Sequence, residues 1–212
     1  MIRILLADDH ALVREGLRRI LTAAADIEVA AEAADGDEVL ALVRSAEFDL
    51  ALLDLSMPGL SGLALIKRLK LEKPRLRILV LSMHGESQYA ARALKAGASG
   101  YLTKDSAAAQ LLGAIRKIAA GGVQISEAAA AQLIGASATG DSLPHAALSD
   151  REYEVLRHIV AGRTITDIAD VLNLSVKTVS THKARILQKL NLAGTAELVR
   201  YAIEHGLTDE KA

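Results

Sequence analysis

The chain has 212 residues, 51% hydrophobic and 24% charged, which excludes a disordered polyelectrolyte and leaves room for two domains of ordinary size. A formal net charge of −1 excludes a uniformly basic polyanion binder, and the lack of cysteine excludes disulfides and thiolate metal sites. The first apolar run is too short for a secretory signal, and no stretch approaches the ~18 apolar residues of a membrane span, so a cytoplasmic protein is expected.

Short apolar runs recur along the first part of the chain: IRILLA (2–7), IEVAAEA (27–33), FDLALLD (48–54), RILVLS (77–82) and SGYLT (99–103). Such runs suit strands buried on both faces of a parallel sheet. Helical patterns near 11–24, 36–46, 61–71, 86–96 and 106–120 separate them, with Asp35-Gly36, Pro58-Gly59 and Gly97 at the joins. This alternation predicts an α/β doubly wound five-stranded parallel sheet over 1–120, in the order 2-1-3-4-5. Gly121-Gly122 ends the pattern, and 121–147 reads as a linker with a short Ala-rich helix near 126–134 and a small, polar, turn-rich stretch at 135–147. Residues 148–212 carry no strand signal and predict a small all-α domain with helices near 149–161, 165–172, 176–190 and 195–205. Ser149, Thr164, Ser175 and Gly194-Thr195 are the expected caps.

The chemistry-bearing residues of the first domain sit where those strands end. Asp8 and Asp9 leave the first run, Asp54 ends the third, Ser82 ends the fourth, and Tyr101 and Lys104 flank the end of the fifth. In an open α/β sheet, ligands bind beyond the carboxyl ends of the strands, where the strand order reverses. Three carboxylates there supply hard oxygen ligands for Mg²⁺ and a nucleophile, Asp54, able to form an aspartyl-phosphate. Lys104 would hold a phosphoryl oxygen as a point charge, and Ser82 would donate a hydroxyl hydrogen bond. Each residue also has a plain alternative: Asp8-Asp9 as a helix cap, Asp54 as a turn former, Ser82 as a strand-end hydroxyl, Lys104 as a solvated lysine, Tyr101 as a half-buried edge-strand ring. His10 reads as a first-turn helix residue rather than a ligand.

The segments ADDH (7–10), DLSMPGLSG (54–62), LSMHGES (81–87) and KAGASGYLTKD (95–105) together resemble the flavodoxin-like receiver domain of bacterial response regulators. The resemblance implies that Asp54 is the phospho-acceptor from a sensor histidine kinase. It implies Mg²⁺ held by Asp9 directly, by Asp8 through water, by Asp54 and by the Ser56 backbone carbonyl. It assigns Ser82 and Tyr101 as a switch pair and Lys104 as the phosphate contact. Many receivers carry proline after that lysine; here Asp105 follows, so no cis-proline bond can form there.

ITDIADVLNLSVKTVSTHKARILQKL (165–190) reads as helix, short turn, longer helix, a pair that can lay its second helix in the major groove. Val171 to Ala196 contain no Asp or Glu, yet hold Lys177, His182, Lys183, Arg185 and Lys189, which concentrates positive charge on this element. On a helical wheel Val176, Val179, Ile186, Leu187 and Leu190 point inward, while Lys177, Ser180, Thr181, Ala184, Arg185 and Gln188 point away. Lys177, Ser180 and Thr181 are expected at base edges, Arg185 and Lys189 at phosphates. His182 borders the inward arc and reads as structural; Lys183 carries no assigned role.

Residues 148–207 look like the LuxR-type helix-turn-helix, and with the receiver the chain resembles NarL/FixJ-type transcriptional regulators over nearly its whole length. The resemblance implies double-stranded promoter DNA as partner, and a homodimer formed through the last helix, which carries Leu198, Val199, Ala202 and Ile203. An aspartate-nucleophile phosphatase would be the enzymatic alternative, but its Asp-x-Asp signature after the first strand is missing and the helical domain would be unexplained. A phosphorylation-independent binding module is the third reading, opposed by the complete acid, Asp, Ser and Lys set. The expectation is therefore a phosphorylation-controlled transcription factor and not an enzyme.

Overall fold

All five apolar runs become strands in the computed structural model, which describes residues 1–60, 62–82, 87–106, 108–126, 129–130 and 143–207. β1 (Ile2–Ala7), β2 (Ile27–Ala33), β3 (Leu50–Asp54), β4 (Arg77–Ser82) and β5 (Gly100–Thr103) form one sheet in the order β2-β1-β3-β4-β5. Every pairing is parallel. β3 starts two residues later than the apolar run, and just before it the Asp49 carboxylate accepts the Arg3 N–H at 2.8 Å.

The first unit also contains α1 (Ala11–Thr22), α2 (Gly36–Ser45), α3 (Gly62–Glu72), α4 (Ser87–Ala96) and α5 (Ala108–Ala119). Ile4, Leu6, Leu50, Leu52, Leu79 and Leu81 pack in one cluster with Leu21 of α1 and Leu111 and Ile115 of α5. The alternate strand residues Leu5, Ala51, Leu53, Ile78 and Val80 are fully buried as well. Both faces are thus covered, as the unbroken apolar runs require, and each large side chain so buried contributes roughly 1.5–3 kcal/mol. Beyond α5 the chain returns along β5: Tyr101 N–H donates to the Gln124 carbonyl at 2.9 Å and Gln124 N–H to Ser99 at 3.1 Å. That extra edge pairing had no strand signal in the sequence.

The second unit is helical among the described residues: α6 (Asp150–Val160), α7 (Ile165–Val171), α8 (Val176–Leu190) and α9 (Thr195–Glu204). Its helix starts are written in the sequence. Ser149–Glu152 and Thr164–Asp167 form reciprocal capping boxes, and the Ser175 hydroxyl accepts from Thr178 N–H at 3.0 Å. Gly194 sits at the start of α9 without a side-chain cap. Asn173 takes a left-handed conformation, φ 50°, in the turn between α7 and α8.

Most of the helix expected near 126–134, and most of the linker at 135–147, lies outside the described residues. The linker's last residues, Pro144–Ala147, form a single 3₁₀ turn. His145 there is buried, its Nδ1 2.8 Å from the Tyr201 hydroxyl, so this residue anchors an otherwise exposed end of the linker. No described helix is long and apolar enough to cross a membrane.

Candidate functional site

The carboxyl ends of β1 and β3 place two buried carboxylates side by side, with Asp8 1% and Asp54 2% exposed. Each uses one oxygen locally and one across the crevice. Asp8 Oδ1 accepts from His10 N–H at 2.8 Å, and Asp54 Oδ1 accepts from Ser56 N–H at 3.1 Å, both two residues on as in Asx turns. The other oxygens converge on Lys104, whose Nζ lies 2.6 Å from Asp8 Oδ2 and 2.7 Å from Asp54 Oδ2. One ammonium therefore holds two like charges together at a site shielded from water.

Burial raises the Asp54 carboxyl above its ordinary range, and Lys104 and the Ser56 amide pull it back toward ionisation. Burial works against the Lys104 ammonium too, but hydrogen bonds to Asp54 and Asp8 overcome it and raise its pKa. Lys104 reaches this position from the end of β5, where its N–H donates to the Ser82 carbonyl at 2.8 Å. Asp105 in the usual proline position does not prevent that reach.

Asp9 is half-buried and bonds the His10 imidazole, Nδ1 to Oδ1 2.7 Å. Ligand-capable atoms of Asp8, Asp9, His10 and Asp54 all lie within 4.8 Å of one another. This group can hold a metal ion: the donors are mainly hard carboxylate oxygens, already short of counter-charge. His10 was expected inside the first helical turn; it is instead the N-cap residue of α1, with its exposed ring against Asp9. Ser82 is buried at the end of β4, and Tyr101 on β5 is 7% exposed, more enclosed than the half-buried edge-strand ring of its plain reading.

The exposed face of α8 carries Lys177, Ser180, Thr181, Ala184, Arg185 and Gln188. Val179, Ile186 and Leu190 are buried on the opposite face. One expectation needs correction, and one residue has an unexpected partner. Val176 was expected inward but is 48% exposed; side chains of a first helical turn lean back toward the helix start, away from the face that Val179, Ile186 and Leu190 bury. Lys189 was expected at phosphate, but its Nζ lies 2.7 Å from Glu152 Oε2 and 3.1 Å from the Ala147 carbonyl. In α9, Leu198 and Ala202 are core residues while Ile203 is 62% exposed, so the expected apolar stripe divides between core and surface.

His182 fits its structural reading, and its Nδ1 is buried without a hydrogen-bond partner among the described residues. Burial lowers its pKa; the Glu152 charge opposes that, and Arg151 and Arg185 add to it. A histidine lowered in the folded state contributes stability that is complete above its unfolded value and lost as pH falls through the folded one. Thermal unfolding of the helical unit within the full chain is thus expected to shift down between about pH 7.5 and about pH 5.5, and His182→Gln to reduce the shift. An equal shift in the variant would assign the acid sensitivity to other groups.

Residues 4–116 match the response regulator receiver domain, and residues 146–202 match the bacterial regulatory proteins of the luxR family. The chain is similar to the response regulator UvrY of Escherichia coli (strain K12), with 37% identity over 209 residues, covering 98% of this chain and 96% of that one. Among solved structures it is similar to the RcsB response regulator of Salmonella typhimurium, with 30% identity, a TM-score of 0.75 and coverage of 96% of this chain and 97% of that one. It also matches RcsB from Salmonella enterica serovar Typhimurium bound to promoter rprA in the presence of phosphomimetic BeF₃⁻, with 30% identity, a TM-score of 0.68 and coverage of 95% and 98%.

Proposed function

We propose that this chain, which belongs to the response regulators joining a receiver domain to a luxR-family DNA-binding domain, converts phosphorylation of Asp54 into a change of affinity for promoter DNA. The family is one of transcriptional regulators, not enzymes. The observation that carries the reading is the pair of buried carboxylates bridged by Lys104 at the β1–β3 switch point. Asp54 is the nucleophile: its carboxylate oxygen forms a bond to phosphorus as the bond from phosphorus to the kinase histidine breaks. Lys104 then turns its ammonium to a phosphoryl oxygen, and the Ser82 hydroxyl donates to another. Asp8, Asp9, Asp54 and the Ser56 carbonyl would hold Mg²⁺, which supplies positive charge to the phosphoryl oxygens. Ser82 and Tyr101 form the switch pair. The proposed domains are 1–120 for the receiver, 121–147 for the linker and 148–212 for the DNA-binding domain.

On the output side, α8 enters the major groove. Lys177, Ser180 and Thr181 face base edges and Arg185 faces phosphate; the ion pair of Lys189 with Glu152 favours a structural role for Lys189 over a phosphate contact. A homodimer would present two such helices to a paired site, and the exposed Ile203 on α9 supports contact through that helix. Lys177→Ala and Thr181→Ala are each expected to cost about 1–3 kcal/mol on a cognate duplex and little on random DNA. Arg185→Ala is expected to weaken both and to flatten the salt dependence. Equal loss on the two DNAs for Lys177→Ala would move Lys177 to the backbone contacts.

A further inference from the structure

The first turn of α6 is bound to both helices of the helix-turn-helix. The Glu152 side chain is 4% exposed and accepts from Lys189 Nζ, in the last turn of α8, at 2.7 Å. The same oxygen accepts Ser149 N–H at 2.8 Å, which closes the capping box of α6. Lys189 also donates to the Ala147 carbonyl, just before that cap, at 3.1 Å. One residue before Glu152, Arg151 donates to the Leu172 carbonyl at 2.6 Å, at the end of α7, and to Glu154 at 2.8 Å.

These contacts do something that the apolar contacts of α8 cannot. Val179, Ile186 and Leu190 attract the helix to its core, but apolar attraction is non-directional and tolerates small rotations and slides. A charge-assisted hydrogen bond to a buried carboxylate is directional and short-ranged. Burying Glu152 is unfavourable unless a cation meets it at one place, so the pair selects one setting of α8 over neighbouring ones. Burial opposes the Glu152 charge, yet Lys189 and Ser149 together lower its pKa, which fits a committed ion pair.

We propose that Glu152 and Lys189 are positioning residues for DNA reading: they fix the rotation and register of α8 so that Lys177, Ser180 and Thr181 meet base edges together. The proposal rests on reading α8 as the recognition helix. It assigns Lys189 no phosphate contact. Cognate binding needs several side chains in register, whereas non-specific binding depends on charge and tolerates a displaced helix.

The test uses the full chain with Lys189→Met, Lys189→Arg and Glu152→Gln, on one selected duplex and one random duplex over a salt series. Lys189→Met and Glu152→Gln are each expected to weaken cognate binding roughly tenfold or more, with random-DNA affinity and the salt slope unchanged. Their effects should not add in the double variant Glu152→Gln/Lys189→Met, and Lys189→Arg, which keeps the cation, should recover most of the cognate affinity. Should Lys189→Met fail to fold, Glu152→Gln decides alone, since the amide keeps the Ser149 bond; an unchanged cognate-to-random ratio in it overturns the proposal. Loss on both DNAs with a salt slope reduced by about one contact in Lys189→Met, and no effect of Glu152→Gln, makes Lys189 a phosphate contact and overturns it too. Wild-type protein that does not distinguish the two duplexes overturns the recognition-helix premise, and the pair's role with it.

Discussion

Asp54→Asn is expected to abolish the acid-stable, base-labile adduct formed when the protein is incubated with a small-molecule phosphodonor and Mg²⁺. The amide keeps the shape of the carboxylate and can still accept from Ser56 N–H, so the fold survives while the nucleophilic charge is gone. Neither neighbouring acid takes over. Asp8 is held by Lys104 and the His10 amide, and Asp9 stands beside the His10 ring at the mouth of the crevice. Peptide mapping of the wild-type adduct gives the residue directly. Full labelling of Asp54→Asn would remove Asp54 from its role.

Lys104→Met is expected to be the most destabilising single change in the crevice. The lysine is 7% exposed and is the cation between two carboxylates that are 1% and 2% exposed. Removing one partner of a buried ion pair costs about 3–5 kcal/mol, and here two carboxylates are left facing each other. A divalent cation bound by those carboxylates replaces the missing charge. Chemical unfolding should therefore show a large loss of stability in a chelator and a substantial recovery on adding Mg²⁺, with a smaller metal effect on wild type. A variant as stable as wild type in chelator would show that the two carboxylates do not repel strongly in the folded state. An unstable variant indifferent to Mg²⁺ would weaken the metal assignment.

The sheet and the crevice were largely legible in the sequence, for one physical reason. In a doubly wound fold the period of apolar runs sets the strands, and whatever follows a strand falls at one edge. Asp8, Asp54, Ser82 and Lys104 were thus placed together by topology alone, and the observed strand order matches the expected one. Contacts set by tertiary partners were not legible. Lys189 reads as one more cation on a basic helix until Glu152, 37 positions earlier, is seen beneath it. Val176 fails for a different reason: an ideal wheel assumes packing along the entire helix, and at the first turn of α8 Val176 stays 48% exposed. His145 lay in a stretch that composition marks as linker, yet its ring is bonded to Tyr201 and packed against His205. The sequence there offers only Pro144 and His145 in a turn-rich stretch, which does not specify a distant tyrosine.

Phosphate on Asp54 is proposed to change DNA affinity. The most direct test measures the full-length protein on one cognate duplex at one salt concentration, with and without phosphodonor, beside Asp54→Asn treated identically. Phosphorylation is expected to bias a two-state equilibrium by a few kcal/mol, which is tenfold or more in apparent affinity at roughly 1.4 kcal/mol per decade. Wild type should tighten on phosphodonor treatment while Asp54→Asn stays at the untreated value. Equal affinity of phosphorylated and unphosphorylated wild type would contradict the account and place regulation after DNA binding.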